Sequence, residues 1–198
     1  MTQLAVFTGD IVKSSDLDAA TLDAVFATLR AGAEQIGGWS GATAPFARFR
    51  GDGWQMALPP RDALRGALVL RARVRSEGAE TRIGIGIGDA RLTGTDLAAA
   101  EGPAFVTSGH SLDTLKRSLL MQAPDGPLSI ALPLADRIAR TWTPKQAQTI
   151  AALLDPAPPT QEALGATLNR SKQMIQKQAE AAGIDALHAA CAAYEAQW

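Results

Sequence analysis

The chain has 198 residues, 19 lysines plus arginines against 20 aspartates plus glutamates, and a formal net charge of -1. That balance excludes a strongly basic nucleic-acid coat protein and an acidic, self-repelling tail. With 46% hydrophobic and 20% charged residues, the composition is that of a globular chain, not a disordered one. Cys191 is the lone cysteine, which removes disulfides and thiolate zinc sites, makes the cytoplasm the expected compartment, and suits a small apolar filler. The uncharged run Gln35 to Ala47 contains three glycines and falls well short of the ~20 apolar residues that span a bilayer. The opening MTQLAVFTGDIVK lacks a basic start and carries Asp10, so neither a membrane helix nor a secretory signal is expected.

Leu4 to Val12 reads as a buried central strand broken near Thr8-Gly9-Asp10, which leaves Asp10 at a strand end. Ser14, Ser15 and Asp16 read as helix-entry residues. Leu22, Val25, Phe26, Leu29, Ala33 and Ile36 follow at helical spacing, and Gly37-Gly38 is the expected stop. Phe46 to Leu58 reads as a hairpin turning at Gly51-Asp52-Gly53. Pro59-Pro60 opens a second helix to about Arg75, with Arg61, Arg65, Arg71, Arg73 and Arg75 expected on a solvated face. Arg82 to Gly88 alternates isoleucine with glycine and is the next strand, open to a close backbone or ligand. Phe105 to Arg117 is an expected helix and Ser118 to Gln122 an expected edge strand.

Strand, helix, strand, strand, helix, strand is the ferredoxin-like βαββαβ order. The fold class is therefore α+β, with this domain over residues 1–131 and a helical region over 132–198. In that region helices are expected from Pro133 to Arg140 and from Pro144 to Leu154. Within it, about 160–183 fits a helix-turn-helix: Leu164, Gly165 and Leu168, the turn Asn169-Arg170, Ser171 as cap, Ile175 and Ala179 inward, Gly183 as stop.

In a ferredoxin-like sheet the first strand lies beside the hairpin, so Asp10 and Asp52 should converge. Two carboxylates plus substrate phosphates are the usual holders of Mg²⁺ or Mn²⁺. Lys13, Ser14 and Ser15 sit at the expected entrance of the first helix, where free N–H groups favour a phosphate. On the hairpin, Arg48, Arg50 and Asp52 share one strand parity. In the helix-turn-helix, Ser171, Lys172, Gln173, Gln176 and Lys177 lie where a second helix reaches base edges or phosphates. From Asp155 onward there are three basic and five acidic residues, a weak phosphate footprint, so DNA binding would rest on a dimer.

FTGDIV, RFRGDGWQ and RIGIGIG resemble, in order and spacing, the metal strand, metal hairpin and following strand of class III nucleotidyl cyclases over about residues 4–117. GDIV, GDG, GPAF, a late WTPKQ and the terminal helix-turn-helix resemble the SatD family of bacterial proteins across nearly the whole chain. The resemblance implies Asp10 and Asp52 as metal ligands with the Ile11 carbonyl, Arg48 at the base-recognising lysine position, and a homodimer. Counting from Gly102, Val106 and His110 fall where cyclases carry their asparagine and arginine. Valine cannot hydrogen-bond, and a neutral imidazole replaces a fixed guanidinium poorly. The expectation is a bacterial regulator that binds a nucleotide or other phosphorylated ligand and contacts DNA. An active cyclase or nucleotidyltransferase and a ligand-free dimerisation module are the alternatives.

Overall fold

The computed structural model describes residues 2–41, 43–49 and 51–198. Among them the strands are β1 (Thr2–Ile11), β2 (Phe46–Arg48), β3 (Gly53–Leu58), β4 (Thr81–Thr93), β5 (Asp96–Glu101) and β6 (Met121–Gln122). The helices are α1 (Ala19–Ser40), α2 (Ala63–Ser76), α3 (Pro103–Asp113), α4 (Gly126–Ala139), α5 (Pro144–Leu153), α6 (Gln161–Leu168), α7 (Lys172–Ala181) and α8 (Ile184–Glu195). The sheet runs β2-β3-β1-β4-β5 with antiparallel neighbours, and β6 pairs parallel with β4. It is a mixed α/β structure built on an antiparallel sheet.

β1 is central because both its faces are covered. Ala5, Phe7 and Ile11 join the large core with α1 and α2, whereas Val6 packs with Ala57, Ala90, Leu97 and Ala104 on the α3 side. Alternation along the strand puts successive residues on opposite faces. The glycines of β4 serve the second face. A Cβ on Gly84 would lie 2.3 Å from the backbone nitrogen of Leu112, and one on Gly86 would lie 2.4 Å from the Ala104 carbonyl. The close backbone that the Ile-Gly alternation anticipates is therefore α3.

Several elements depart from the sequence reading. α1 runs through Gly37-Gly38 and ends at Gly41, whose φ of 64° is left-handed. α4 starts at Gly126 with Pro127 in its first turn and carries Pro133 inside, and α3 ends at Asp113, not Arg117. β5 has no strand signature in DLAAAE, since alanine, aspartate and glutamate disfavour strands. It forms because β4 extends to Thr93 and turns back at Gly94.

The arginines of α2 correct the expectation of a solvated face. α1, α4, α5 and α8 all pack against this helix, so Arg65 and Arg71 are buried and need partners. Arg65 pairs with Glu195 and donates to the Leu154 carbonyl at 3.0 Å. Arg71 pairs with Glu80 and Asp136. Arg73 donates to Gln35 and Arg75 to the Trp142 carbonyl. One cluster of buried side chains extends from β1 to Tyr194 of α8, and residues 131 and 132, the expected divide, lie inside α4. No helix among the described residues is long and apolar enough to cross a membrane.

Candidate functional site

The end of β1 is fixed by a buried chain of hydrogen bonds. The Trp54 indole donates to Thr81 Oγ1 at 3.0 Å, and that hydroxyl donates to the Asp10 carbonyl at 2.7 Å. The Ile11 amide donates to the Asp52 carbonyl at 3.3 Å, so the hairpin turn is tied to the strand end. Asp10 and Asp52 are thereby brought to one cleft of about 700 Å³, together with Ile11, Lys13, Ser14, Ser15 and Arg82. Lys116, Arg117, Leu119 and Leu120 from the loop after α3 form its other wall.

Both Asp10 oxygens are engaged. Arg82 stands opposite Asp10 in the β1–β4 register, donates from Nε to Oδ1 at 2.8 Å and from Nη2 to Oδ2. This is the two-pronged guanidinium–carboxylate arrangement, and the hydrogen bond from Arg82 to Asp10 holds the guanidinium pKa above its usual value. The Ser14 hydroxyl donates to Asp52 Oδ2. Among the described residues no cluster of three or more His, Cys, Asp or Glu side chains is disposed to hold a metal. Mg²⁺ demands near-ideal octahedral oxygen geometry and gives up water reluctantly. In this arrangement a cation at Asp10 would have to share the carboxylate with Arg82, which already takes a hydrogen-bonding position on each oxygen.

The phosphate-turn expectation changes in its physical basis. Ser14–Asp16 form a three-residue 3-10 turn with Lys13 in the left-handed region at φ 53°, separate from α1. α1 is capped by Asp18, whose side chain accepts from the Thr21 amide at 2.7 Å. Lys13, Ser14 and Ser15 line the cleft through their side chains and turn, without a helix dipole behind them. Arg48 is turned away from the cleft: it pairs with Asp23 of α1 at 2.9 Å and its guanidinium lies 4.0 Å from the Phe26 ring centroid. Arg50, read on the same hairpin face, lies outside the described residues. Arg82, Lys116 and Arg117 were not expected in the site. The register that sets Arg82 against Asp10 is a long-range property, and Lys116-Arg117 read as the end of a helix.

A second candidate surface is α7. α6 ends at Asn169, left-handed at φ 52°, and Ser171 caps α7 by accepting from the Met174 amide. A Cβ on Gly165 would lie 2.5 Å from the Arg170 carbonyl, so the turn needs a glycine there. Ile175 and Ala179 are buried, while Ser171, Lys172, Gln173, Gln176 and Lys177 are all exposed. Arg170, the charge at a turn position where an apolar residue is usual, points inward instead. It donates to the Lys145 carbonyl, Thr149, Gln178 and Gln148, bracing α5 against α7.

No protein-family model and no curated protein matches the chain. Among solved structures it is similar to guanylyl and adenylyl cyclase domains. The dimeric guanylyl cyclase domain of the RhoGC fusion protein from the aquatic fungus Blastocladiella emersonii matches at 18% identity, over 59% of this chain and 76% of that one, with TM-score 0.43. The catalytic core of a rhodopsin-guanylyl cyclase with converted specificity, in complex with ATPalphaS, matches at 20% identity, over 58% and 73%, with TM-score 0.38. The adenylyl cyclase CyaB from P. aeruginosa matches at 16% identity, over 54% and 69%, with TM-score 0.37.

Proposed function

We propose that the chain is a regulatory protein in which a cyclase-like, ferredoxin-like unit binds a nucleotide or other phosphorylated ligand and biases a helix-turn-helix that contacts DNA. The carrying observation is the face of α7: Lys172, Gln173, Gln176 and Lys177 are exposed together while Ile175 and Ala179 hold the helix down. That is the disposition a second helix needs to enter a major groove. Because Arg170 is engaged internally, few cations remain for phosphates, and a homodimer presenting two such helices supplies the missing contacts. The ligand acts by binding one arrangement of the helices more tightly than another.

The test is enrichment of bound duplexes from a randomised pool by the full chain. The reading expects a recurring half-site whose retention survives rising salt and falls when Lys172 and Gln173 are replaced by alanine. A pool that emerges without a common sequence sinks it. Dimer mass by light scattering, with and without the selected duplex, checks the pairing.

The convergence of Asp10 and Asp52 favours a second reading, metal-dependent nucleotidyl transfer. Against it stand Val106 and His110, exposed on α3, and the guanidinium seated on Asp10. With Mg²⁺ or Mn²⁺ and each nucleoside triphosphate, no pyrophosphate release is expected; sustained release would overturn the regulatory reading of the cleft.

A further inference from the structure

We propose that Arg82 is a built-in counter-cation for Asp10, and that the cleft takes the phosphoryl end of a nucleotide-sized ligand on Lys13, Lys116 and Arg117 without a divalent metal. The inference rests on the ligand-binding reading of this cleft and specifies how the ligand is held. Four cationic side chains and two carboxylates line the space. Arg82 cancels Asp10 through two hydrogen bonds, which leaves three cations against Asp52 among the side chains that line the cleft. Among the described residues none of Lys13, Lys116 and Arg117 forms an ion pair with a carboxylate, and all three are exposed. They stand on opposite walls, Lys13 on the turn after β1 and Lys116-Arg117 on the loop after α3.

Such unpaired charges at a concave mouth concentrate anions. A cleft of about 700 Å³ lies in the range that holds a ligand of nucleotide size and exceeds the needs of a lone phosphate. The Ser14 hydroxyl is given to Asp52, which softens the one remaining carboxylate toward an incoming anion. The Leu120 amide donates to the buried Asp136 carboxylate at 3.1 Å, so the Lys116-Arg117 loop is anchored at its far end to α4. A phosphoryl group bridging the two walls would therefore pull on the helical part of the molecule directly.

Calorimetric titration of the full chain with inorganic triphosphate, ATP and GTP, each in excess EDTA and again in excess Mg²⁺, tests this. Binding in EDTA, no tighter with Mg²⁺, is expected, and the three probes separate recognition of the phosphates from recognition of a base. Replacing Lys116 and Arg117 together by glutamine should weaken binding about tenfold with an unchanged melting temperature. Arg82→Gln should weaken binding in EDTA and create a Mn²⁺ site detectable by electron paramagnetic resonance, which Asp10→Asn in the same chain removes. Binding that requires Mg²⁺ in the unaltered protein overturns the counter-cation inference and leaves the phosphorylated-ligand reading standing. Absence of binding by every probe in both conditions overturns both.

Discussion

Gly84 and Gly86 carry a packing constraint that no side chain can meet, because the atoms a methyl group would strike are the backbone of α3. Backbone cannot rotate aside, so Gly86→Ala should cost about 1–3 kcal/mol or more, read as a lowered urea midpoint. A neighbouring change at the half-buried Gly109, where a Cβ meets nothing within 4 Å, should gain helix propensity instead. The buried pair Arg71 and Asp136 sets a second expectation. Asp136 has a fully buried Oδ1 without a hydrogen bond and faces Arg71 at 3.5 Å. Because Arg71 keeps Glu80, Asp136→Leu does not strand the guanidinium; it takes the acceptor from the Leu120 amide and from Arg140 and should lower stability by about 1–3 kcal/mol, read as a lowered urea midpoint. The glycines were legible as places of close approach from alternation alone. The buried arginines were not, since a row of charges on a helix is normally solvated and only the tertiary neighbours of α2 reveal otherwise.

At the scale of the element, α6 and α7 were readable to within a residue or two because their caps and turn are local: Ser171, Asn169 and Gly165 act on atoms nearby in sequence. What the sequence could not show is that Arg170 belongs to α5. Arg170→Ala should therefore lower the melting temperature by removing four hydrogen bonds across helices, whereas alanine at Lys172 and Gln173 should leave melting unchanged and alter only DNA retention. The candidate cleft divides similarly. Asp10 and Asp52 announce themselves as Gly-Asp pairs at a strand end and a turn, while Arg82 enters through register and Lys116-Arg117 through the path of a loop. β5 escaped because its residues prefer helix and are drafted into the sheet by an overlong β4.

For the molecule as a whole, the junction between the sheet unit and the last helix is a cluster of titratable groups. Burial first, and then the Arg65 guanidinium, lower the His188 imidazole below its ordinary 6.5. The unfolded chain thus holds more protons between the two values, and the stability present above pH 6.5 drains away as pH falls through the folded value. Melting temperatures taken above neutrality and near pH 5 should differ in that direction, and His188→Gln should flatten the difference. Burial, with a small rise from Glu195, pushes the Cys191 thiol up to about 12 against the lowering pull of Arg65, so this cysteine should resist alkylating reagents until the chain unfolds. The tie between Arg65 of α2 and Glu195 at the end of α8 also bears on how the chain is made. Synthesis proceeds from the amino terminus, and the sheet unit leaves the ribosome long before the carboxylate that neutralises its buried guanidinium. Until α8 emerges, α2 has an uncovered flank and an unpaired charge, so the sheet unit stays open on that side, within reach of chaperones and proteases, until α8 packs against it.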